Sequence, residues 1–102
     1  MRMTMDKIRI GWKDYAIVNQ EKQSILTVDG GTCYGEIRHE PPTIYLNAEN
    51  DEQQNKATLI HEIIHGISDH YSIDFSEDIV TRLANAIVIT LQQNDLVITK
   101  KE

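Results

Sequence analysis

The sequence predicts one small α+β domain, in which an antiparallel sheet is followed by two packed helices. Strand patterns occupy the chain up to residue 47, and helical patterns occupy it from residue 50 onwards. Strands and helices segregated in this order along a chain favour helices packed on one face of the sheet. The length of 102 residues fits a single domain, residues 1–102, and 40% hydrophobic with 25% charged residues is a globular composition.

The first strand region alternates polar and apolar side chains and is rich in β-branched and aromatic residues. It covers residues 7–18 and predicts one or two strands with a bend near Gly11 or Asp14. Residues 24–28 predict a short strand or an irregular segment, and the turn signal Asp-Gly-Gly follows at residues 29–31.

The second strand region predicts a hairpin. Residues 32–38 and residues 43–47 each show a short strand pattern, and we expect the two strands to pair. Glu-Pro-Pro at residues 40–42 connects them. We expect this connection to stay outside any central strand, because proline lacks the backbone N–H that donates to a neighbouring strand.

The first helix is expected to begin at Asn50 and to end between Gly66 and His70. Asparagine is a good N-cap, because its side-chain oxygen accepts a hydrogen bond from a free backbone N–H of the first turn. Four isoleucines at helical spacing form one apolar stripe, which should be buried: Ile60, Ile63, Ile64 and Ile67.

The second helix is expected to begin after Ser76, its N-cap, and to stop at Asn94-Asp95. Its apolar stripe consists of Val80, Leu83, Ala84, Ile87 and Leu91. This stripe predicts that one face of the helix packs against the rest of the domain.

Charge and cysteine content narrow the classes of partner and compartment. The net charge is -6, which argues against binding to nucleic acid or to an anionic membrane, because both require a basic surface. The longest apolar stretch, residues 86–91, is too short to span a bilayer. Cys33 is the single cysteine, so an intrachain disulfide cannot form, and the cytoplasm is the expected compartment.

The first predicted helix carries the motif His-Glu-Ile-Ile-His at residues 61–65. Two histidines four residues apart project to the same side of a helix, so both imidazoles can bind one ion. Zinc suits imidazole and carboxylate ligands. Glu62 is placed to accept a proton from a zinc-bound water, whose pKa the ion lowers towards about 7. We therefore predict a Zn²⁺ site with His61 and His65 as ligands and Glu62 as catalytic base.

The motif lies beside the apolar stripe of its helix. With about 100° between successive residues, His61 and His65 fall roughly 100–140° from Ile60 at the centre of the stripe, and Glu62 falls about 200° from it. The histidines therefore flank the face that packs on the core, and a cleft is expected at that edge.

A catalytic zinc needs a third protein ligand and an open fourth position. The acids and histidines after the motif are Asp69, His70, Asp74, Glu77 and Asp78. Asp69 and His70 lie too close along the same helix end to turn towards the ion. We predict Glu77, because it opens the second helix and shares its packed stripe, and we keep Asp78 as the reserve.

Four other side chains receive weaker predictions. Thr81 lies one helical turn after Glu77 and is a candidate for supporting it. Tyr71 could donate a hydrogen bond to an oxyanion, although packing at a helix end is its more ordinary role. His39 and His70 are expected to be surface histidines.

Four segments resemble the small phage and prophage metallopeptidases of the ImmA/IrrE-like group, within the gluzincin-like zincins. They read Tyr-Gly-Glu-Ile at 34–37, Thr-Ile-Tyr-Leu at 43–46, Thr-Leu-Ile-His-Glu-Ile-Ile-His at 58–65 and Val-Thr-Arg-Leu-Ala-Asn-Ala at 80–86. The resemblance implies a minimal zincin-like fold, with two histidines of the first helix and an acid of the second as ligands. It also implies intracellular regulatory proteolysis, which in the better-known relatives acts on a transcriptional repressor.

This sequence departs from those relatives in two ways. Its 102 residues contain no recognisable helix-turn-helix or sensor domain. The relatives' usual acid, just before Ala-Asn of the second helix, is here Thr81 or Leu83, which moves the third ligand back to Glu77 or Asp78.

Together these observations predict a zinc-dependent endopeptidase that hydrolyses a peptide bond of an intracellular protein, with a transcriptional regulator as one candidate substrate. The substrate is expected to lie extended along a sheet edge, at residues 43–47. Two alternatives stay open. One is a zinc-binding interaction module of phage origin that cleaves nothing, because so thin a core offers little substrate pocket; the other is a structural domain without metal.

Overall fold

The computed structural model of this chain describes residues 7–20, 27–28, 31–32, 35–47 and 52–98. Within these residues six strands precede two helices, so the predicted α+β class is confirmed. The strands are β1 (Lys7–Ile10), β2 (Lys13–Gln20), β3 (Thr27–Val28), β4 (Gly31–Thr32), β5 (Gly35–His39) and β6 (Pro42–Asn47). The helices are α1 (Glu52–Tyr71) and α2 (Glu77–Gln93).

The main sheet has four strands in the order β1-β2-β6-β5, and β3 and β4 form a separate pair. The β1–β2 and β5–β6 pairs are antiparallel hairpins, whereas the central β2–β6 pair is parallel. The prediction of an antiparallel sheet is therefore wrong for the central pair. A tight turn reverses the chain within each hairpin, but β2 and β6 are joined through three intervening strands, and such a long connection permits a parallel arrangement.

The first hairpin turns at Gly11 and Trp12, between the paired residues Ile10 and Lys13. Gly11 has a φ of 63°, a left-handed conformation that two-residue hairpin turns require and that glycine adopts without strain. A Cβ at this position would also lie 2.8 Å from Cγ of His70. The predicted bend near Gly11 is confirmed, and the turn brings the hairpin against the end of α1.

The second hairpin joins β5 to β6, as predicted, with His39 paired to Pro42. Its first strand begins at Gly35 rather than at residue 32, because Thr32 belongs to β4. Pro42 is the first residue of the central strand β6, so the prediction that it stays outside such a strand is wrong. At the first position of a strand the missing N–H of proline is tolerated.

Helix α1 packs between the sheet and α2, and it extends to Tyr71, beyond its predicted end. On the sheet side, buried Leu59 packs with the partly buried Ile63 and Ile67. On the α2 side, buried Ile64 packs with the partly buried Ile60. The predicted isoleucine stripe therefore faces two neighbours instead of one. The predicted N-cap at residue 50 lies outside the described residues.

A second buried line on α1 consists of small and polar residues that the apolar pattern does not reveal. Thr58 and Glu62 are 5% and 7% exposed, and Gly66 is buried as well. A Cβ at Gly66 would lie 2.8 Å from Cδ1 of Ile10 and 3.2 Å from Cδ1 of Ile37. The sheet therefore comes close to α1 along this line, and Glu62 is buried there.

Helix α2 begins and ends as predicted. The Ser76 hydroxyl accepts a hydrogen bond from the backbone N–H of Ile79, 3.2 Å away, and Asn94 is the C-cap. Its buried residues are Val80, Ala84 and Val88. Leu83 is 39% exposed, so its predicted place in the buried stripe is wrong.

No helix among the described residues combines the length and the apolar character needed to cross a bilayer.

Candidate metal centre

Two histidines of α1 and one glutamate of α2 converge on one point. Nε2 of His65 lies 3.1 Å from Nε2 of His61 and 2.7 Å from Oε1 of Glu77. The other carboxylate oxygen of Glu77 lies 3.0 Å from Nε2 of His61. The candidate ligand atoms of these three residues all lie within 4.8 Å of one another. They form the one such group among the residues that the structure describes.

The local structure of both helices explains this convergence. His61 and His65 are four residues apart on α1 and therefore share a side. Glu77 is the first residue of α2, directly after the N-cap, and α2 packs on α1 through Ile64 and Val80. The reserve ligand Asp78 points elsewhere, because its carboxylate lies 3.5 Å from Arg82 on the exposed side of α2. The structure therefore brings Glu77, and not Asp78, to the histidines.

The donor set fits a divalent transition metal such as zinc. Two imidazole nitrogens and one carboxylate oxygen are ligands of the kind that catalytic zinc sites use, with a fourth position left open. Burial lowers the pKa of His61, the proximity of Glu77 raises it, and His65 lowers it further. The lowered pKa favours the neutral imidazole, which is the form that binds a metal.

Glu62 lies beside these three residues and is almost completely buried, which is unusual for a carboxyl group. It is 7% exposed, and burial raises its pKa to about 8, with further contributions from the charges of Glu77 and Glu36. A cation held by the neighbouring ligands would favour the charged form of Glu62. The chemistry of these residues, three clustered carboxylates beside two imidazoles, is therefore consistent with a bound cation.

Strand β5 lies against α1 beside Glu62. A Cβ on Gly35 would lie 3.7 Å from Oε2 of Glu62, would collide with the methyl group of Thr58, and would lie 2.8 Å from the backbone oxygen of Tyr45. Glycine thus allows the edge of the sheet to approach the helix. Glu36, the next residue on β5, was not predicted from the sequence as part of the site.

These elements enclose an open cleft of about 770 Å³ between β5, α1 and the start of α2. Its lining residues are Gly35, Glu36, Ile37, His39, Gln54, Ala57, Thr58, His61, Glu62, His65, Asp69, Glu77, Thr81, Ala84 and Asn85. Thr81, the predicted support, lies 3.5 Å from Glu77 (Oγ1 to Oε2). Tyr71 is 61% exposed and does not line the cleft, so its suggested role as an oxyanion donor is wrong.

His39 and His70, which were expected to be surface histidines, are both partly exposed and belong to a hydrogen-bond network. The hydroxyl of the fully buried Tyr15 lies 2.7 Å from Nδ1 of His39 and 2.7 Å from Nε2 of His70. Nε2 of His39 lies 2.8 Å from a carboxylate oxygen of Asp69. The sequence carries no local signal for this network, because its members come from β2, β5 and α1.

The fold and this group define a small α+β domain with a candidate metal centre of two histidines and one glutamate, built across two helices. The chain belongs to the Peptidase_M78 family: the family profile, described as the IrrE N-terminal-like domain, matches residues 20–92. No curated protein and no solved structure matched the chain in the corresponding comparisons. The family assignment confirms the ImmA/IrrE-like resemblance and supports a function of the metallopeptidase kind.

Proposed function

We propose that this protein is a zinc-dependent endopeptidase, with His61, His65 and Glu77 as metal ligands and Glu62 as general base. One observation carries the proposal. The carboxylate of Glu77 reaches both histidines of the motif, at 2.7 and 3.0 Å, and Glu62 lies in the same cleft. The Peptidase_M78 family assignment supports a peptidase rather than a metal site of another kind.

The metal centre and Glu62 would have different roles in peptide hydrolysis. Bound zinc would supply a Lewis acid and lower the pKa of a bound water to about 7. The Glu62 carboxylate would accept a proton from the attacking water and would then donate it to the departing amine nitrogen. Strand β5 covers Glu62 on α1 and keeps most bulk water from its carboxylate. This burial strengthens the electrostatic interaction between Glu62 and the metal centre.

The substrate would lie along β5 instead of residues 43–47. Those residues belong to β6, which lies between β2 and β5 and has no free edge, so the earlier expectation is wrong. Among the described residues, β5 is the outer strand on this side of the main sheet, and four of its five residues line the cleft. An extended peptide that pairs with β5 would therefore pass directly over the metal centre.

Two measurements test this proposal. Elemental analysis of the purified protein should find about one zinc per chain, and the loaded protein should cut unfolded casein into fragments that mass spectrometry identifies. Chelation should stop the cleavage, and readdition of zinc should restore it. A protein that binds zinc but leaves casein and a broad peptide library intact would refute the peptidase and favour the zinc-binding interaction module. A protein that binds no divalent metal would refute both.

The cytoplasmic location and a transcriptional regulator as substrate remain predictions from the sequence and from the resemblance. Identification of proteins that are shortened in cells expressing the wild type, but not the Glu62→Gln variant, would test the second of them. A shortened regulator would support it, and a set of shortened proteins without any regulator would contradict it.

A further inference from the structure

A chain of hydrogen bonds runs through the buried residue Tyr15 to one end of the cleft. It starts at His70, passes through the hydroxyl of Tyr15 to His39, and ends at Asp69, with three contacts of 2.7, 2.7 and 2.8 Å. Tyr15 is completely buried, whereas His39 and Asp69 line the cleft. None of these residues belongs to the candidate metal centre.

The donors and acceptors of this chain can be assigned from their chemistry. A carboxylate only accepts hydrogen bonds, so Nε2 of His39 donates to Asp69. In the neutral imidazole Nδ1 is then an acceptor, and the Tyr15 hydroxyl donates to it. The Tyr15 oxygen in turn accepts from Nε2 of His70. Both ring nitrogens of His39 thus have complementary partners, which fixes the ring of His39 and one oxygen of Asp69.

Two further contacts, one to the backbone of His39 and one to the ring of His70, tie the first hairpin to this network. The ammonium group of Lys13 donates to the backbone oxygen of His39 over 2.9 Å. The ring of His70 stands edge-on to Trp12, with the ring centroids 4.5 Å apart. The first hairpin therefore supports this end of the cleft through Lys13 and Trp12. Because Asp69 bonds to the ring of His39, its carboxylate is held in one orientation before a substrate binds.

Strand β5 runs alongside α1, from Gly35 beside Glu62 to His39 beside Asp69, so a peptide that pairs with β5 would pass Asp69. Asp69 follows His65 by four residues on α1, which is an advance of about 6 Å along the helix axis. An extended peptide advances about 3.3 Å per residue. A substrate side chain roughly two residues from the scissile bond would therefore lie beside Asp69.

The charges around the cleft distinguish Asp69 from its other carboxylates. Glu77 is the proposed third metal ligand, and Glu62 is the proposed base. Glu36 forms an ion pair with Arg38 at 2.7 Å. The partner of Asp69 is a histidine, which is not a permanent cation. Its second carboxylate oxygen remains available, since its side chain is 58% exposed. Among the described residues that line the cleft there is neither lysine nor arginine.

We propose that Asp69 is a specificity-determining residue that binds a cationic side chain of the peptide substrate, and that Tyr15 and His39 are positioning residues that hold its carboxylate. This proposal rests on the proposed function, because it assumes that a peptide occupies the cleft. The substrate class it names is a peptide with lysine or arginine about two residues from the cleaved bond.

Competition between matched peptides tests the preference. The probe is a synthetic library of ten-residue peptides in which each position carries lysine, norleucine or glutamate, digested by the zinc-loaded protein. Lysine should be favoured over norleucine about fivefold at one position near the cut, the size expected for an exposed ion pair. Asp69→Asn should reduce this ratio to about one, and Asp69→Lys should reverse it in favour of glutamate. Asp78→Asn, on the outer side of α2, is the matched control and should keep the wild-type ratio.

The variant Tyr15→Phe tests whether Tyr15 positions Asp69 or only stabilises the fold. The variant keeps the buried ring and removes the hydroxyl, so His39 loses the partner that orients it. We expect KM for the lysine peptide to rise several-fold relative to KM for its norleucine counterpart, with kcat for both peptides changing in parallel. A purely structural role would change the two KM values equally, and this result would overturn the role of Tyr15.

A binding measurement tests the role of Asp69 independently of peptidase activity. The zinc-loaded Glu62→Gln variant is immobilised, and the peptides that it retains from the same library are sequenced. Cleavage without any preference for lysine would overturn the role of Asp69 and leave the peptidase standing. If the wild type cuts nothing, retention of lysine peptides that depends on Asp69 would still support the proposal, and unselective retention would overturn it.

Discussion

Oε1 of Glu77 on α2 lies 2.7 Å from Nε2 of His65 on α1. The two residues belong to different helices, so a metal ion bound between them would link these helices directly. Such a link adds to the packing of Ile64 against Val80 and Ala84 in the same region. In a domain of 102 residues the contribution of this link to folding would be substantial.

Loss of the third ligand should weaken metal binding far more than loss of its neighbour. Glu77→Ala removes a carboxylate that contacts both histidines, and we expect the zinc affinity to fall more than about 100-fold, beyond the effect typical of outer-shell partners. Asp78→Ala is the matched control, because its carboxylate faces Arg82, and it should bind zinc as the wild type does. Competition with a chromophoric chelator measures both affinities. Equal losses in the two variants would contradict the assignment of Glu77.

Zinc should raise the thermal stability of the domain. A ligand that binds the folded state alone stabilises it by about 2.7 kcal/mol at a free concentration of 100 times Kd. For a domain of this size that corresponds to a rise in Tm of roughly 10–20 °C. Scanning calorimetry with zinc and with EDTA measures the shift. The control His61→Ala should show almost none of it, and an equal shift in this variant would place the metal elsewhere.

Replacement of the proposed base should strongly reduce activity without removal of the metal. Glu62→Gln keeps the size of the side chain but cannot accept the proton, and we expect kcat/KM to fall by about 10²–10⁴-fold. Zinc content should stay near one per chain, because Glu62 is not a predicted ligand. The readout is cleavage of casein with parallel metal analysis. Full activity of the zinc-loaded variant would eliminate Glu62 as the base.

The buried carboxyl of Glu62 should make the metal-free protein less stable as the pH rises. Its folded-state pKa of about 8 exceeds the ordinary value of 4.5, so the folded state binds more protons between these two values. Its contribution to stability is therefore complete below about pH 4.5 and is lost as the pH rises through about 8. Between pH 6 and pH 9 the loss should be on the order of 3 kcal/mol. Urea denaturation in EDTA at pH 6 and pH 9 measures it.

Glu62→Gln provides the control for this pH dependence. The variant lacks the titrating group but keeps His61, whose lowered pKa acts in the opposite sense at acidic pH. The difference between wild type and variant therefore isolates Glu62. Parallel curves for the two proteins between pH 6 and pH 9 would refute the raised pKa.

The two glycines at the contact between sheet and helix should respond differently to a methyl group. At Gly35 a Cβ would lie 2.8 Å from the backbone oxygen of Tyr45, which cannot move alone, and Gly35→Ala should cost about 1–3 kcal/mol. At Gly66 the close neighbours are the ends of Ile10 and Ile37, and alanine gains about 1 kcal/mol in helix propensity. Gly66→Ala should therefore be much milder. Chemical denaturation compares them, and a larger cost for Gly66→Ala would contradict this account of the contact.

Local patterns in the sequence predicted both helices, most of the strands, the three ligands of the candidate metal centre and its proposed base. The spacing of hydrophobic residues predicted both helices, and Ser76 and Asn94 marked the ends of the second one, because caps and helical periodicity depend on nearby residues. His61 and His65 were equally predictable, since a four-residue spacing on a helix places two side chains on one side. Glu77 was favoured over Asp78 by its place on the packed stripe.

Other features depended on contacts between distant parts of the chain, which local patterns do not encode. The parallel pairing of β2 with β6 follows from how two hairpins dock, and it leaves β5 as the outer strand on the side of the cleft. The helical pattern placed Glu62 opposite the isoleucine stripe, yet β5 buries it beside Gly35. The position of Asp69 next to the ring of His39, supported by Tyr15, likewise arises only when β2, β5 and α1 meet.

The sequence by itself therefore determined the two helices, the histidine pair and the candidate acids, because each depends on residues within a few positions of one another. Only the tertiary structure decided the edge of the cleft, the burial that raises the pKa of Glu62 to about 8, and the hydrogen-bond network around Tyr15. Those features arise from the close packing of separate strands against α1.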